Sequence, residues 1–185
     1  MAIEDKERWD KKYQNKDGPT KPIKIVKEYA SLAKGKNALD IASGMGRHSK
    51  YLQRLGFEVD ALDISSVAIN ELKNIPGIHA KEVDFDTFTL PVNRYELIVC
   101  TYFLNRALFP QMIDALKAGG IILLETFLHD EENEREPSNP AFLLNKGELE
   151  YFFDLKCELI YIEEWWGTDH TGAKVMKISM VAKKK

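Results

Sequence analysis

The sequence has little cysteine. Cys100 and Cys157 are the only two in 185 residues, they stand far apart, and they form neither a CxxC pair nor a disulfide framework. Long apolar runs are missing too. No stretch has the length of a membrane span, and the charged opening Met1-Ala2-Ile3-Glu4-Asp5-Lys6-Glu7-Arg8 lacks the apolar segment of a signal peptide. These absences set the expectation of a cytoplasmic protein with no membrane partner. Positive charge is not in excess: the net charge is −3, and the one basic run is Lys183-Lys184-Lys185. That leaves no electrostatic footprint for nucleic acid, so no nucleic-acid partner is expected. His129 and His170 have no partner at ligand spacing, and no metal is expected.

What is present reads as one globular domain over residues 1–185, long enough for a substantial core and short for two. Residues 1–35 form a helical cover. Trp9 and Tyr13 share one face of a helix over Ile3–Gln14 at i, i+4 spacing, Asn15-Lys16-Asp17-Gly18-Pro19 ends it, and Ile23–Leu32 gives a second helix. Residues 36–185 form an α/β core. Short apolar runs at Ala38–Ala42, Phe57–Ile64, Ile78–Val83, Tyr95–Thr101 and Ile121–Phe127 alternate with helical segments at His48–Leu55, Ser66–Lys73 and Phe109–Lys117. That rhythm predicts βαβ units and a parallel sheet. Leu143–Phe153 reads as a further helix. Glu158–Trp165 and Lys174–Ala182 read as two strands whose short link makes them antiparallel. Asp130–Pro140 has the composition of a mobile surface loop on the ligand edge, open to two readings, a plain solvated loop or a lid.

The chemistry concentrates in Leu39-Asp40-Ile41-Ala42-Ser43-Gly44-Met45-Gly46-Arg47-His48. This is a glycine turn between a strand and a helix, where a ligand can approach the main chain and meet free N–H groups of the helix start. Asp63 ends the next strand, where a carboxylate can accept both hydroxyls of a ribose. A dinucleotide fingerprint needs a third glycine, but Ser49 or Arg47 stands there in the two possible registers.

Asp40-x-Ala42-x-Gly44-x-Gly46 resembles the first motif of the class I S-adenosylmethionine-dependent methyltransferases. Val59-Asp60-Ala61-Leu62-Asp63-Ile64-Ser65 resembles their second motif, Asp84-Phe85-Asp86 their adenine-binding segment, and Leu116-Lys117-Ala118-Gly119-Gly120-Ile121-Ile122-Leu123 their lead into the fifth strand. Within that family, Arg8-Trp9-Asp10-Lys11-Lys12-Tyr13 and Gly44-Met45-Gly46-Arg47-His48-Ser49 are most similar to the tellurite-resistance branch of small methyltransferases. The sequence departs from the commonest pattern at Ala42, usually glycine. It also lacks the Pro-Pro-aromatic run of base-methylating enzymes after Cys100.

The resemblance implies a three-layer Rossmann-like fold with a mostly parallel seven-stranded sheet and an antiparallel C-terminal hairpin. It implies S-adenosyl-L-methionine as cofactor and methyl transfer to a small molecule such as an oxyanion or a thiol. The implied cofactor residues are Trp9, Tyr13, Asp40, Ala42, Gly44, Gly46, Arg47, Asp63, Ile64, Asp84, Phe85, Asp86 and Cys100. Tyr102, Phe103, Asn105 and Arg106 are expected to rim the substrate side, with Glu125 and Phe127 as further candidates. An activated methyl donor asks the protein mainly for alignment and exclusion of water, so no catalytic triad is expected and none is assigned. Two alternatives stay open: a nicotinamide-dependent oxidoreductase, which shares the glycine turn and Asp63, and a non-catalytic module that keeps the cofactor pocket.

Overall fold

The computed structural model describes residues 2–15, 18–135 and 140–185. Seven strands form one sheet: β1 Asn37–Ile41, β2 Glu58–Asp63, β3 Ile78–Glu82, β4 Tyr95–Thr101, β5 Leu116–Phe127, β6 Cys157–Thr168 and β7 Lys174–Lys184. Their spatial order is β3-β2-β1-β4-β5-β7-β6. β1 to β5 pair in parallel, and β7 runs antiparallel between β5 and β6. The expected Rossmann-like architecture with its closing hairpin is borne out.

The helices are α1 Ala2–Gln14, α2 Lys24–Tyr29, α3 Arg47–Arg54, α4 Ser66–Leu72, α5 Leu108–Ala115 and α6 Glu148–Phe153. Alternation along the strands separates the two faces of the sheet. Leu97, Val99, Ile121, Leu123 and Val181 face α2 and α3, packing on Val26 and Leu52. Ile98, Cys100, Ile122, Leu124 and Met180 face α5 and α6, packing on Phe109, Met112 and Phe153. Both faces are covered, which is why β1 and β4 read as near-continuous apolar runs. The strand order reverses beside β1, between β2 and β4, so the ligand crevice of an open α/β sheet opens at the carboxyl ends of β1 and β4.

Two boundaries differ most from the sequence reading. α5 stops at Ala115 and β5 begins at Leu116. Gly119 (φ 75) and a register shift between Tyr95 and Leu97 absorb the extra residues, so Lys117 belongs to the strand. The helix expected from Leu143 starts only at Glu148. Leu144 bridges Leu128 instead, and Gly147, left-handed at φ 78, turns the chain into α6.

The described part of the Asp130–Pro140 loop is tied down. Asn133 Oδ1 accepts from the Met176 amide at 2.6 Å, and Glu134 exchanges main-chain and side-chain bonds with Lys174. Residues 136–139 lie outside the described residues, as do Lys16 and Asp17 of the predicted turn. Among the described residues, no helix is long and apolar enough to cross a membrane, and no group of His, Cys, Asp and Glu could hold a metal ion.

Candidate cofactor and acceptor site

β1 ends in a bend that runs through left-handed conformations at Ala42 (φ 53), Gly44 (φ 52) and Gly46 (φ 76). Left-handed backbone costs a residue with a Cβ about 1–2 kcal/mol, which accounts for the glycines and for the usual glycine where this chain has Ala42. The bend is pinned from inside. Ser43 N–H donates to Leu62 O at 2.9 Å, and Gly44 N–H donates to Asp63 Oδ2 at 2.8 Å. Asp63 Oδ1 accepts from Ser65 N–H at 2.8 Å. Burial raises the Asp63 carboxyl above its ordinary range, and the amides of Ser65, Gly44 and Ile64 oppose that shift. A carboxylate has about four acceptor sites, so capacity remains beyond these bonds.

Asp40, one turn below, anchors α3. Its Oδ2 accepts from the Ser49 amide at 3.0 Å and the Ser49 hydroxyl at 2.6 Å. Burial pushes the Asp40 carboxyl up to about 7. His48 is 2% exposed although it stands in the first turn of α3. Burial and the neighbouring Arg47 push its imidazole down to about 3. It is therefore neutral and accepts the Ile23 N–H at 3.5 Å, a packing role for α2.

α1 lies across this crevice. Asp10 caps the start of α4, accepting from the Ser65 hydroxyl, from Ser66 Oγ at 3.1 Å and from Val67 N–H at 3.2 Å. Lys6 pairs with Glu82. Tyr13 is thereby set over the bend: a Cβ built on Gly44 would lie 2.7 Å from its hydroxyl oxygen. Trp9 stacks on Tyr13 with centroids 5.5 Å apart. Asp10, three residues before Tyr13 and so on its helical face, was missed by the sequence reading, as was Ser49.

The remaining candidates divide. Phe85 packs at 5.3 Å on Phe103. Asp84 folds its own turn, accepting the Asp86 amide at 2.9 Å, while Asp86 is exposed. Cys100 is buried, its Sγ 3.5 Å from Phe103 O, and burial pushes its thiol up to about 12, which leaves it inert. Tyr102 has a left-handed backbone (φ 54), its hydroxyl donates to Glu125 Oε1 at 2.6 Å, and Arg47 stands 5.7 Å from its ring centroid. Asn105 and Arg106 do other work. Asn105 Oδ1 accepts the Ala107 amide, and Arg106 is locked on Glu148 and on the carbonyls of Ala141 and Leu143. The structure thus gathers Tyr13, Gly44, Asp63, Arg47 and Tyr102 and leaves Arg106 in a loop-to-helix tie.

A family model of the tellurite resistance protein TehB matches residues 1–182. The chain belongs to the TehB family. Among TehB relatives, the probable S-adenosyl-L-methionine-dependent methyltransferase TehB of Haemophilus influenzae is 29% identical over 178 residues, covering 86% of this chain and 61% of that protein. The chain spans less of the other curated relatives it matches. The crystal structure of TehB from H. influenzae superposes with a TM-score of 0.77 at 24% identity, over 96% of this chain and 67% of that one. A SAM-dependent methyltransferase from Methanosarcina mazei superposes at 0.69 and 19% identity, over 89% and 98%.

Proposed function

We propose that this chain transfers a methyl group from S-adenosyl-L-methionine to a small-molecule acceptor, a thiol or an oxyanion. The observation that carries this reading is the juxtaposition of Gly44 and Asp63 across the β1–β2 crevice, joined by a 2.8 Å hydrogen bond. It puts an acceptor-only side chain beside a glycine backbone that the Tyr13 hydroxyl alone covers closely, the pairing an adenosine ribose needs. The residues fit such a ligand on a second count: the Ser43 hydroxyl, buried within the bend, has no hydrogen-bond partner, and buried polar atoms are seldom left so.

When bound, the cofactor supplies an activated methyl group on a sulfonium centre. Asp63 accepts the ribose hydroxyls with its remaining lone pairs. The Asp40–Ser49 bonds fix the start of α3, so that the bend and the Arg47 side chain hold one geometry. Tyr13 and Trp9, carried by α1, cover the crevice and exclude water. No residue need remove a proton when the acceptor arrives ionised.

The test is transfer of label from methyl-tritiated S-adenosylmethionine to a panel of thiols, selenite and a small-molecule cell extract. Saturable transfer to at least one acceptor is expected. Tight binding of S-adenosylhomocysteine with no transfer to any of them would instead favour a non-catalytic module. Binding of NADH without S-adenosylhomocysteine binding would favour the oxidoreductase.

A further inference from the structure

β7 is an interior strand with β5 and β6 on either side, yet its face towards α2 and α3 reads Val175, Lys177, Ser179, Val181. Two polar residues stand at positions where an interior strand carries apolar ones. Ser179 is accounted for: it donates to Glu125 Oε2 at 2.8 Å and accepts the Trp165 indole N–H at 2.9 Å. Tyr102 takes the other oxygen of Glu125, so each of its oxygens holds one hydroxyl of this cluster.

Lys177 is different. It is 8% exposed, and among the described residues its one hydrogen bond is to the Tyr102 hydroxyl, at 3.2 Å. No carboxylate of the described residues pairs with it. An ammonium carries three donors, so two are left over in a place where burial disfavours the charge and the nearby Glu125 and Asp169 carboxylates offset that cost only in part. The faces of Tyr102, Phe127 and Trp165 surround it, with centroids 5.1, 5.7 and 5.1 Å away. Cation–π attraction offsets part of that cost without using the donors. Gly167 makes the arrangement possible, since a Cβ there would fall 2.7 Å from the Trp165 ring and 3.1 Å from Lys177 Cε. Tyr102 connects this group to the cofactor crevice, because Arg47, at the start of α3, lies against the same ring.

Resting on the methyl-transfer reading above, we propose that Lys177 is the acceptor-binding residue, and that the acceptor is a small organic anion: a thiolate or carboxylate on an apolar body. The charged group takes the two free donors of Nζ, and the body rests on the flanking aromatic side chains. An inorganic oxyanion fits less well, because it has no apolar body for the aromatic rings around Lys177 to hold. The reaction balances without a base. A lone pair of the anion forms the new bond to the methyl carbon while the carbon–sulfonium bond breaks, and that electron pair returns to sulfur to leave a neutral thioether.

The experiment is calorimetry on the full chain saturated with S-adenosylhomocysteine, titrated separately with benzenethiol, benzoate and selenite, for the wild type, Lys177→Met and Lys177→Arg. At least one organic anion is expected to bind the wild type saturably. Lys177→Met should weaken that binding about 30-fold or more, as loss of a buried ionic partner does, and Lys177→Arg should restore most of it. S-adenosylhomocysteine affinity should stay within about twofold throughout, since Lys177 makes no cofactor contact under this proposal. Absence of binding by both organic anions, selenite binding tighter than either, or a Lys177→Met variant indistinguishable from wild type overturns the proposal. A wild type that fails to bind S-adenosylhomocysteine overturns the methyl-transfer reading itself. A wild-type crystal soaked with the better-binding anion tests the same point with no variant: the anion lies at hydrogen-bond distance from Nζ, or the proposal falls.

Discussion

Asp63→Asn is expected to weaken S-adenosylhomocysteine binding at least about 100-fold, because two hydrogen bonds to a charged acceptor are lost or reversed and each is worth about 1.5–3 kcal/mol. The geometry separates this effect from loss of fold. The carboxylate holds the Gly44 and Ser65 amides, but burial already works against its charge. Removing that charge relieves a desolvation cost while weakening the two tethers, so the stability change should stay below about 2 kcal/mol. Calorimetry and urea unfolding on the same preparation check both halves. A purely structural Asp63 would lower stability and leave affinity near wild type at temperatures where the variant is folded.

Gly46→Ala should be the most destabilising single change in the bend. The backbone there has φ 76, and an added Cβ would sit 2.4 Å from Leu72 Cδ2 and 2.9 Å from Cδ1. Leu72 is fully buried and packs α4 against Ala61 and Ile78, so it cannot swing away cheaply. The left-handed conformation costs about 1–2 kcal/mol and overpacking about 1–3 kcal/mol. Against a typical total of about 5–15 kcal/mol, that is a large share. A fall in Tm of about 5–15 °C is expected for a chain of this length. Adding Leu72→Val should return part of the loss by making room, leaving the conformational part. A Tm within about 2 °C of wild type, the shift expected from about 0.5–1 kcal/mol, would show that the bend is not built as described.

The contrast between these residues and Lys177 shows what could be read in advance. Asp40, Gly44, Gly46 and Asp63 announce themselves because strand, bend and helix follow one another directly, so local order in the chain is local order in space. Trp9 and Tyr13 were legible as a pair on one helical face, but their seat over Gly44 depends on Asp10 gripping Ser65, Ser66 and Val67, a contact between distant segments. Lys177, Ser179 and Glu125 meet only because β7 returns antiparallel beside β5, in the register that sets Glu125 opposite Ser179. The available signal was the polar pair at alternate positions of an apolar strand, and it points to a site only once the strand is known to be interior. Arg106 misled for the opposite reason. A cation just beyond β4 reads as substrate-facing until Glu148 is found to hold it. Leu143 and Leu144 suggested a helix by their apolar pairing, but Asn145-Lys146-Gly147 supplies a turn that overrides it.

A crystal structure of the protein with S-adenosylhomocysteine is the most direct test. The account predicts both ribose hydroxyls within hydrogen-bond distance of Asp63, the cofactor against Gly44 with the Tyr13 hydroxyl displaced from the place it holds there, and the sulfur turned towards Tyr102 and Lys177. A ribose bound elsewhere, with the space above Gly44 filled by protein side chains in the complex, would contradict it.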